Sequence, residues 1–221
     1  GYIKGMRDGV ANTPEKRERY LDIAYRKSCD MERLLQRLFY FSRLETGNLP
    51  LFLVDSDLNR FAGRFAREAG EELAASGGQV NFRPAEGPLP VRVDEEQLLR
   101  ALNNLKENAR RYAGAQPLVL DLSVRREGNH ACLRFADNGR GVPEEQLPHL
   151  FQRFWRGDQA RRSQGGEGSG LGLYIVKYVV EAHGGTVTAE NDGGLAVIIT
   201  LPLGTESEEK EAHGYEQDSD R

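Results

Sequence analysis

Gly165-Gly166-Glu167-Gly168-Ser169-Gly170-Leu171-Gly172-Leu173 runs straight into the apolar helix pattern of residues 171–183, and no strand leads into it. Glycines at this density can bare successive backbone N–H groups, and a helix N-terminus adds partial positive charge, so the stretch suits a polyphosphate. It is not a Walker loop, because no Gly-Lys-Ser/Thr follows. It is not a dinucleotide fingerprint either, because the dozen residues before it read as loop. A flexible loop in front of a helix is the plain alternative, and the glycine density favours phosphate over it. Gly172 falls inside the helix pattern, where glycine costs about 1 kcal/mol relative to alanine, which points to close packing or backbone approach.

Upstream, Asp137-Asn138-Gly139-Arg140-Gly141 follows the strand pattern Cys132–Asp137. A carboxylate at a strand end, followed by glycines, lets backbone lie against a flat ligand while the acid accepts one hydrogen bond. Asp-Asn-Gly is also a good turn, and on its own the turn is the favoured reading. Further upstream the helix pattern Asp94–Ala113 buries Leu98, Leu102, Leu105, Ala109 and Tyr112, which step by four, three, four and three. Asn104 and Asn108 are one turn apart and project together from an adjoining face. Asparagine gains nothing in mid-helix on its own account. A functional pair and two solvated amides are equally compatible with this helix taken alone.

Outward from these elements the chain reads as helix 56–76, short strands 79–82 and 90–93, strands 118–125 and 132–137, and a closing hairpin of 186–190 and 196–201. Strands and helices interleave without regular βαβ repeats. This predicts an α+β fold, an α/β sandwich in which helices cover one face of a mixed sheet. The N-terminal segment differs. Thr13-Pro14 is a helix start, and a pattern free of internal Gly and Pro runs from there to about Thr46, with Ala24, Met31, Leu34, Leu38 and Phe41 on one stripe. So long a helix needs partners, so we expect residues 1–47 to be part of a helical bundle that pairs with a stub helix in Gly1–Asp8 and with a second chain. The expected divisions are this bundle fragment, a linker at 48–54, a catalytic domain at 55–203, and a disordered tail at 204–221.

Composition narrows the function classes. The formal net charge is −4, but residues 204–221 contribute −5 of it and leave the rest near +1, so there is no basic footprint for nucleic acid. No apolar run approaches the roughly 20 residues that span a bilayer, so any membrane anchor would lie outside this chain and the part in hand would be cytoplasmic. Cys29 and Cys132, and the four histidines, lack metal-ligand spacing. His183, before Gly184-Gly185, reads as a helix-end residue facing the last carbonyls.

Taken in order, these elements resemble the ATP-binding domain of sensor histidine kinases, within the wider family of gyrase-type and heat-shock chaperone ATPases. Asn104-Leu105-Lys106-Glu107-Asn108-Ala109-Arg110-Arg111-Tyr112 is similar to that family's N box, Asp137–Gly141 to its G1 box, Phe151–Arg156 to its F box and Gly168–Leu173 to its G2 box. Phe41-Ser42-Arg43-Leu44-Glu45-Thr46-Gly47 resembles the end of the second helix of the dimerisation and phosphoacceptor domain. The resemblance implies a Bergerat-type fold and a protein-histidine kinase that binds ATP and Mg²⁺. It would act as a homodimer through the bundle helices and pass phosphate to a response-regulator receiver domain.

The resemblance also implies roles. Asn108 would hold Mg²⁺ and Asn104 support the metal–phosphate cluster; Arg111 and Tyr112 would sit by phosphates and ribose. Asp137 would read the adenine amino group, with Gly139 and Gly141 admitting the base. Arg156 would reach the γ-phosphate, and Gly168, Ser169, Gly170, Leu171, Gly172 and Leu173 would wrap the phosphates under a lid at 157–167. Glu107 is the nearest candidate to orient the acceptor histidine or take its proton. The N box departs from the family's pattern in the charge of Lys106, and the family's His-Glu/Asp-x-x-Thr/Ser-Pro box occurs nowhere in these 221 residues. Two rival readings stand beside this one. A gyrase-type hydrolytic clamp would need a glutamate where Asn104 stands. A dimerising scaffold would hold nucleotide without catalysis.

Overall fold

The computed structural model describes residues 2–45, 50–157 and 170–204, and the chain divides into two units, Gly1–Pro50 and Leu51–Arg221. The first holds α1 (Tyr2–Arg7) and α2 (Pro14–Glu45). α2 starts where the sequence places it, with the Thr13 hydroxyl accepting from Lys16 N at 3.3 Å. Tyr2 meets Tyr20 edge to face at 5.3 Å, and Gly5 leaves room for the Tyr20 ring. Met31 of the expected stripe is exposed, as are Leu21, Tyr25 and Leu35. The side chains of Leu34, Leu38 and Phe41, the joint at 46–49 and the tail from 205 onward lie outside the described residues.

The second unit is built as β1 (Val54–Asp57), α3 (Leu58–Ala74), β2 (Gln79–Arg83), β3 (Pro90–Val93), α4 (Glu95–Tyr112), β4 (Val119–Glu127), β5 (His130–Asp137), a short 3-10 helix (Glu144–His149), α5 (Gly172–Ala182), β6 (Thr186–Asn191) and β7 (Leu195–Pro202). Five strands form one sheet in the order β2-β4-β5-β7-β6, with β2 parallel to β4 and every other pair antiparallel. β1 and β3 form a separate antiparallel pair, and Val91 bridges to Leu203.

The mixed sheet and helical cover are those the pattern predicts. One element is new. Residues 54–57 are a strand, where sequence starts the helix at Ser56. Asp57 decides the boundary: its carboxylate accepts from Asn59 N and Leu89 N, both at 3.0 Å, so it caps α3 and ties β1 to the segment leading into β3. Gly77, at φ +74°, stops α3 in a left-handed turn closed by Gly78 N to Leu73 O.

Alternation assigns the two sheet faces. Leu120, Leu122 and Val124 of β4, Leu133 and Phe135 of β5, and Val197, Ile199 and Leu201 of β7 share one face by register and are buried. α3 packs on β2 and β4, α5 on β6 and β7, and α4 against α5. Phe65 of α3 lies 6.4 Å from Phe135. Each such large side chain removed from water contributes roughly 1.5–3 kcal/mol. The opposite face carries Asn81, Asp121, Ser123, Arg125, Arg134 and Thr188. Polar ladders such as Asn81 to Asp121 at 3.1 Å run across it. The two faces differ in chemistry, so a one-residue slip in register would put the core in water.

Candidate nucleotide site

α4 buries Leu98, Leu102, Leu105 and Ala109, as the stepping predicts, and so turns Asn104 and Asn108 toward the start of α5. A Cβ on Gly172 would lie 3.4 Å from both Asn104 Oδ1 and Asn108 Oδ1 and 3.5 Å from Asn108 Nδ2. The two amides and this glycine therefore bound one small space. Asn104 Nδ2 is spent on Arg100 O at 2.9 Å, a bond that fixes its amide and leaves Oδ1 toward Gly172. Gly172 opens α5 rather than lying within it, and no side chain caps that helix start. Its first backbone N–H groups are thus suited to an anion. Leu171 is buried and Leu173 half-buried, so these two side chains pack and only their backbone suits a ligand. Gly168 and Ser169, and residues 158–167 of the lid expected at 157–167, lie outside the described residues.

Asp137 closes β5, and the loop after it packs against Ala113 at the end of α4. Its Oδ1 accepts from Gly139 N at 2.8 Å and from Leu195 N at 3.3 Å. Asp137 therefore folds its own loop, and both of these bonds fall on Oδ1. Burial pushes its carboxyl above the usual carboxylate range, and the bonds from Gly139 and Leu195 pull the other way. Asn138 is the structural half of the pair. It accepts from Val119 N at 2.8 Å and donates to Pro117 O at 3.1 Å, pinning the loop to the head of β4. Gly139 is required by contact, since a Cβ there would stand 2.6 Å from the Ala113 backbone, while Arg140 N bonds Ala113 O at 3.1 Å. Gly141, at φ +67°, is required by conformation, and Asn191 presses where its side chain would be.

Three other expected residues sit differently. Tyr112 is 38% exposed and does not extend the apolar stripe. Its place at the C-terminal end of α4 leaves the ring open to a ligand. Arg111 and Glu107 bond each other, Nε to Oε1 at 2.7 Å, and Arg110 reaches the same carboxylate at 3.4 Å. Glu107 thus faces guanidinium groups on its own helix. Lys106, the charged departure in the N box, is largely covered and pairs with Glu72 of α3, so it serves helix packing. Arg156 is half-buried on the segment after Phe154. Phe154 adopts φ +58° and is 54% exposed, and its backbone lies against Gly170. That contact brings the F-box segment to the mouth of α5.

The sequence places the β6–β7 hairpin but not its contact with the Asp137 loop. Gly194 lies so close to the Asp137 backbone that no side chain fits, Leu195 donates to the Asp137 carboxylate, and Asn191 holds Val142. In sequence this turn reads only as Asp192-Gly193-Gly194 linking two strands. Nothing local marks it as a wall of a site.

Residues 93–205 match the family model described as histidine kinase-, DNA gyrase B-, and HSP90-like ATPase. The chain belongs to this ATPase family. It is the catalytic ATP-binding domain of a two-component sensor histidine kinase, the class to which its relatives belong. The sensor protein CzcS of Cupriavidus metallidurans is 33% identical over 175 residues, covering 78% of this chain and 36% of that protein. A crystal structure of full-length ShkA in complex with AMPPNP superposes with a TM-score of 0.72 at 23% identity, covering 89% of this chain and 40% of that one. Histidine kinase ThkA in complex with the response regulator TrrA gives 0.67 at 19% identity, covering 93% of this chain and 58% of that one. At these identities the two structures speak to the fold. The chain spans between 32% and 52% of the length of the first curated relatives it matches.

Mg²⁺ fits the donor set, provided that phosphate shares it. Among the described residues no group of three or more His, Cys, Asp or Glu could hold a metal. The amide oxygens beside Gly172 are hard ligands of the kind Mg²⁺ accepts while keeping phosphate oxygens and waters as the rest of its shell.

Proposed function

We propose that this chain binds ATP with Mg²⁺ and passes the γ-phosphoryl group to a histidine on a helical bundle, for relay to a response-regulator aspartate. The observation that carries this is the convergence of Asn104 and Asn108 on Gly172, with the Asp137–Gly139 loop packed against Ala113 at the end of the same helix α4. Asp137 Oδ2 would accept from the adenine amino group, where guanine presents a carbonyl. Gly139 and Gly141 let the base lie on backbone, and the start of α5 faces the phosphates. Asn108 would hold Mg²⁺ through its amide oxygen, and the metal when bound supplies neutralisation of phosphate charge. Arg156 would steady the γ-phosphate. Such transfer depends on positioning and charge stabilisation more than on covalent help from the protein. Glu107 could act on the acceptor histidine only after releasing Arg110 and Arg111.

We assign the acceptor to none of His130, His149, His183 and His213, because none of them stands in a His-Glu/Asp-x-x-Thr/Ser-Pro sequence. His183 is buried, and His130 and His149 lie at a strand start and in the 3-10 helix, far in sequence from α1 and α2. We assign residues 1–47 to the bundle, with dimerisation through α2, whose exposed Leu21, Tyr25 and Leu35 call for cover. Residues 48–54 we assign to a hinge and 204–221 to a solvated tail. Among the described residues no helix is long and apolar enough to cross a membrane. We assign this part to the cytoplasm, where ATP is supplied. The complexes of ShkA with AMPPNP and of ThkA with TrrA, which share the fold, hold a nucleotide and a partner of the classes proposed here.

The test is transfer of label from γ-labelled ATP to a separately supplied histidine-bearing bundle. Acid-labile label on the bundle is the expected result. Nucleotide binding without transfer would favour the scaffold reading, and phosphate release without transfer the hydrolytic clamp.

A further inference from the structure

We propose that Asn191 is a positioning residue for nucleotide recognition, acting through Val142 to fix the loop that aims the Asp137 carboxylate. The proposal rests on the functional reading above and deepens it. Asn191 Oδ1 accepts from Val142 N at 3.0 Å, and its Nδ2 donates to Val142 O at 2.7 Å and to Glu144 Oε1 at 3.0 Å. The amide reads the Val142 backbone as a neighbouring strand would, donor to acceptor and acceptor to donor. Its orientation is therefore determined, since a flipped amide would set donor against donor at Val142 N and oxygen against oxygen at Val142 O and Glu144.

The position of Asn191 gives this clamp its reach. It ends β6, in register with Leu195, and Leu195 N donates to Asp137 Oδ1. Gly194 lies against the Asp137 backbone within the same turn. On its other side the loop is held to α4 by Arg140 N to Ala113 O. Residues 137–142 are thus gripped between the α4 end and the β6–β7 turn, and Asn191 is the side chain of β6 that reaches across to the loop, beside the bond from Leu195 N to Asp137. Both bonds made by the Asp137 carboxylate fall on Oδ1, so the direction of Oδ2 depends on that grip. A loop freed at Val142 would blur the geometry at the base while leaving Asn104, Asn108 and Gly172 in place.

The experiment is calorimetry on the full 221-residue chain with ADP, ATP and GTP, with and without Mg²⁺, for wild type, Asn191→Asp and Glu144→Ala. Asn191→Asp keeps size and the acceptor for Val142 N but sets oxygen against Val142 O and Glu144. Its expected effect is an about tenfold weaker Kd for ADP and ATP, equivalent to about 1.4 kcal/mol. The ATP-over-GTP preference should fall by a similar factor, with unchanged stoichiometry and an unchanged Mg²⁺ dependence. Glu144→Ala removes one bond of three on an exposed residue and should weaken ADP about twofold in the same base-selective way, so it carries the test if Asn191→Asp does not fold. A wild-type ATP/GTP ratio in whichever variants fold overturns the proposal, as does lost stoichiometry at constant Kd, which is what a purely structural role would give. Failure of the wild-type chain to bind any adenine nucleotide overturns instead the functional reading on which it rests.

Discussion

Two side chains carry opposite demands on stability and function. Asn108 is half-buried beside Gly172. Replacing it with alanine removes an amide oxygen and little packing, so Asn108→Ala should keep its melting temperature within a few degrees and lose Mg²⁺-dependent ATP binding, which calorimetry with and without the metal would show. Asp137 is the reverse case. Burial raises its carboxyl, so the folded chain holds the proton more tightly than the unfolded chain. Stability then falls as pH climbs through the unfolded and on through the folded pKa, and the full cost stands above it. Asp137→Asn preserves an acceptor for Gly139 N and Leu195 N and removes that cost. It should melt no lower than wild type at neutral pH while losing at least tenfold in adenine affinity. In wild type, affinity should begin to weaken on acidification at a pH above that at which an ordinary aspartate titrates.

At the scale of elements, α4 is the member on which the site is assembled, and its start is tied on three sides. Asp94 caps it through Oδ1 to Gln97 N at 3.1 Å, and its Oδ2 accepts from Phe52 N at 3.0 Å. Asp94 N donates to His183 Nε2 at 2.9 Å, while His183 Nδ1 lies 2.6 Å from Val179 O. The imidazole thus joins the end of α5 to the start of α4. His183→Ala would leave Asp94 N–H without this partner, a loss of about 1–3 kcal/mol, while Val179 O keeps its 3.2 Å bond from the backbone N–H of residue 183. Urea unfolding of the variant should show a drop of that order, with nucleotide Kd changed less than for Asn108→Ala. The sequence placed His183 at a helix end facing its carbonyls, and the structure agrees. Its second bond, to a residue 89 positions away, could not be read locally.

At the scale of the molecule, the contacts that build the site all lie within Leu51–Arg221. A fragment of residues 51–204 should therefore fold and bind ATP with the affinity of the full chain, measured by calorimetry. The intact 221-residue chain, given labelled ATP and Mg²⁺ without a separate bundle, should show no acid-labile label. The elements of this unit were legible because their signals are local: Asp94 ahead of an apolar stripe, Gly77-Gly78 after one, alternation in 118–125 and 132–137. β1 was not, because Val54–Asp57 is a short, exposed segment whose pairing with β3 is non-local and whose first residues carry no alternating pattern.

The amino-acid order alone determined the α4 stripe, the pairing of Asn104 with Asn108 on one face, and the glycines that must approach backbone, since periodicity and missing side chains act within a few residues. Only the folded chain decided that both amides meet Gly172, that Asp137 spends one oxygen on its own loop, and that Asn191 and Gly194 complete the wall. Those outcomes depend on which strand lies beside which. Strand order is set by burying one face of the whole sheet at once, a property that no single stretch of the chain contains.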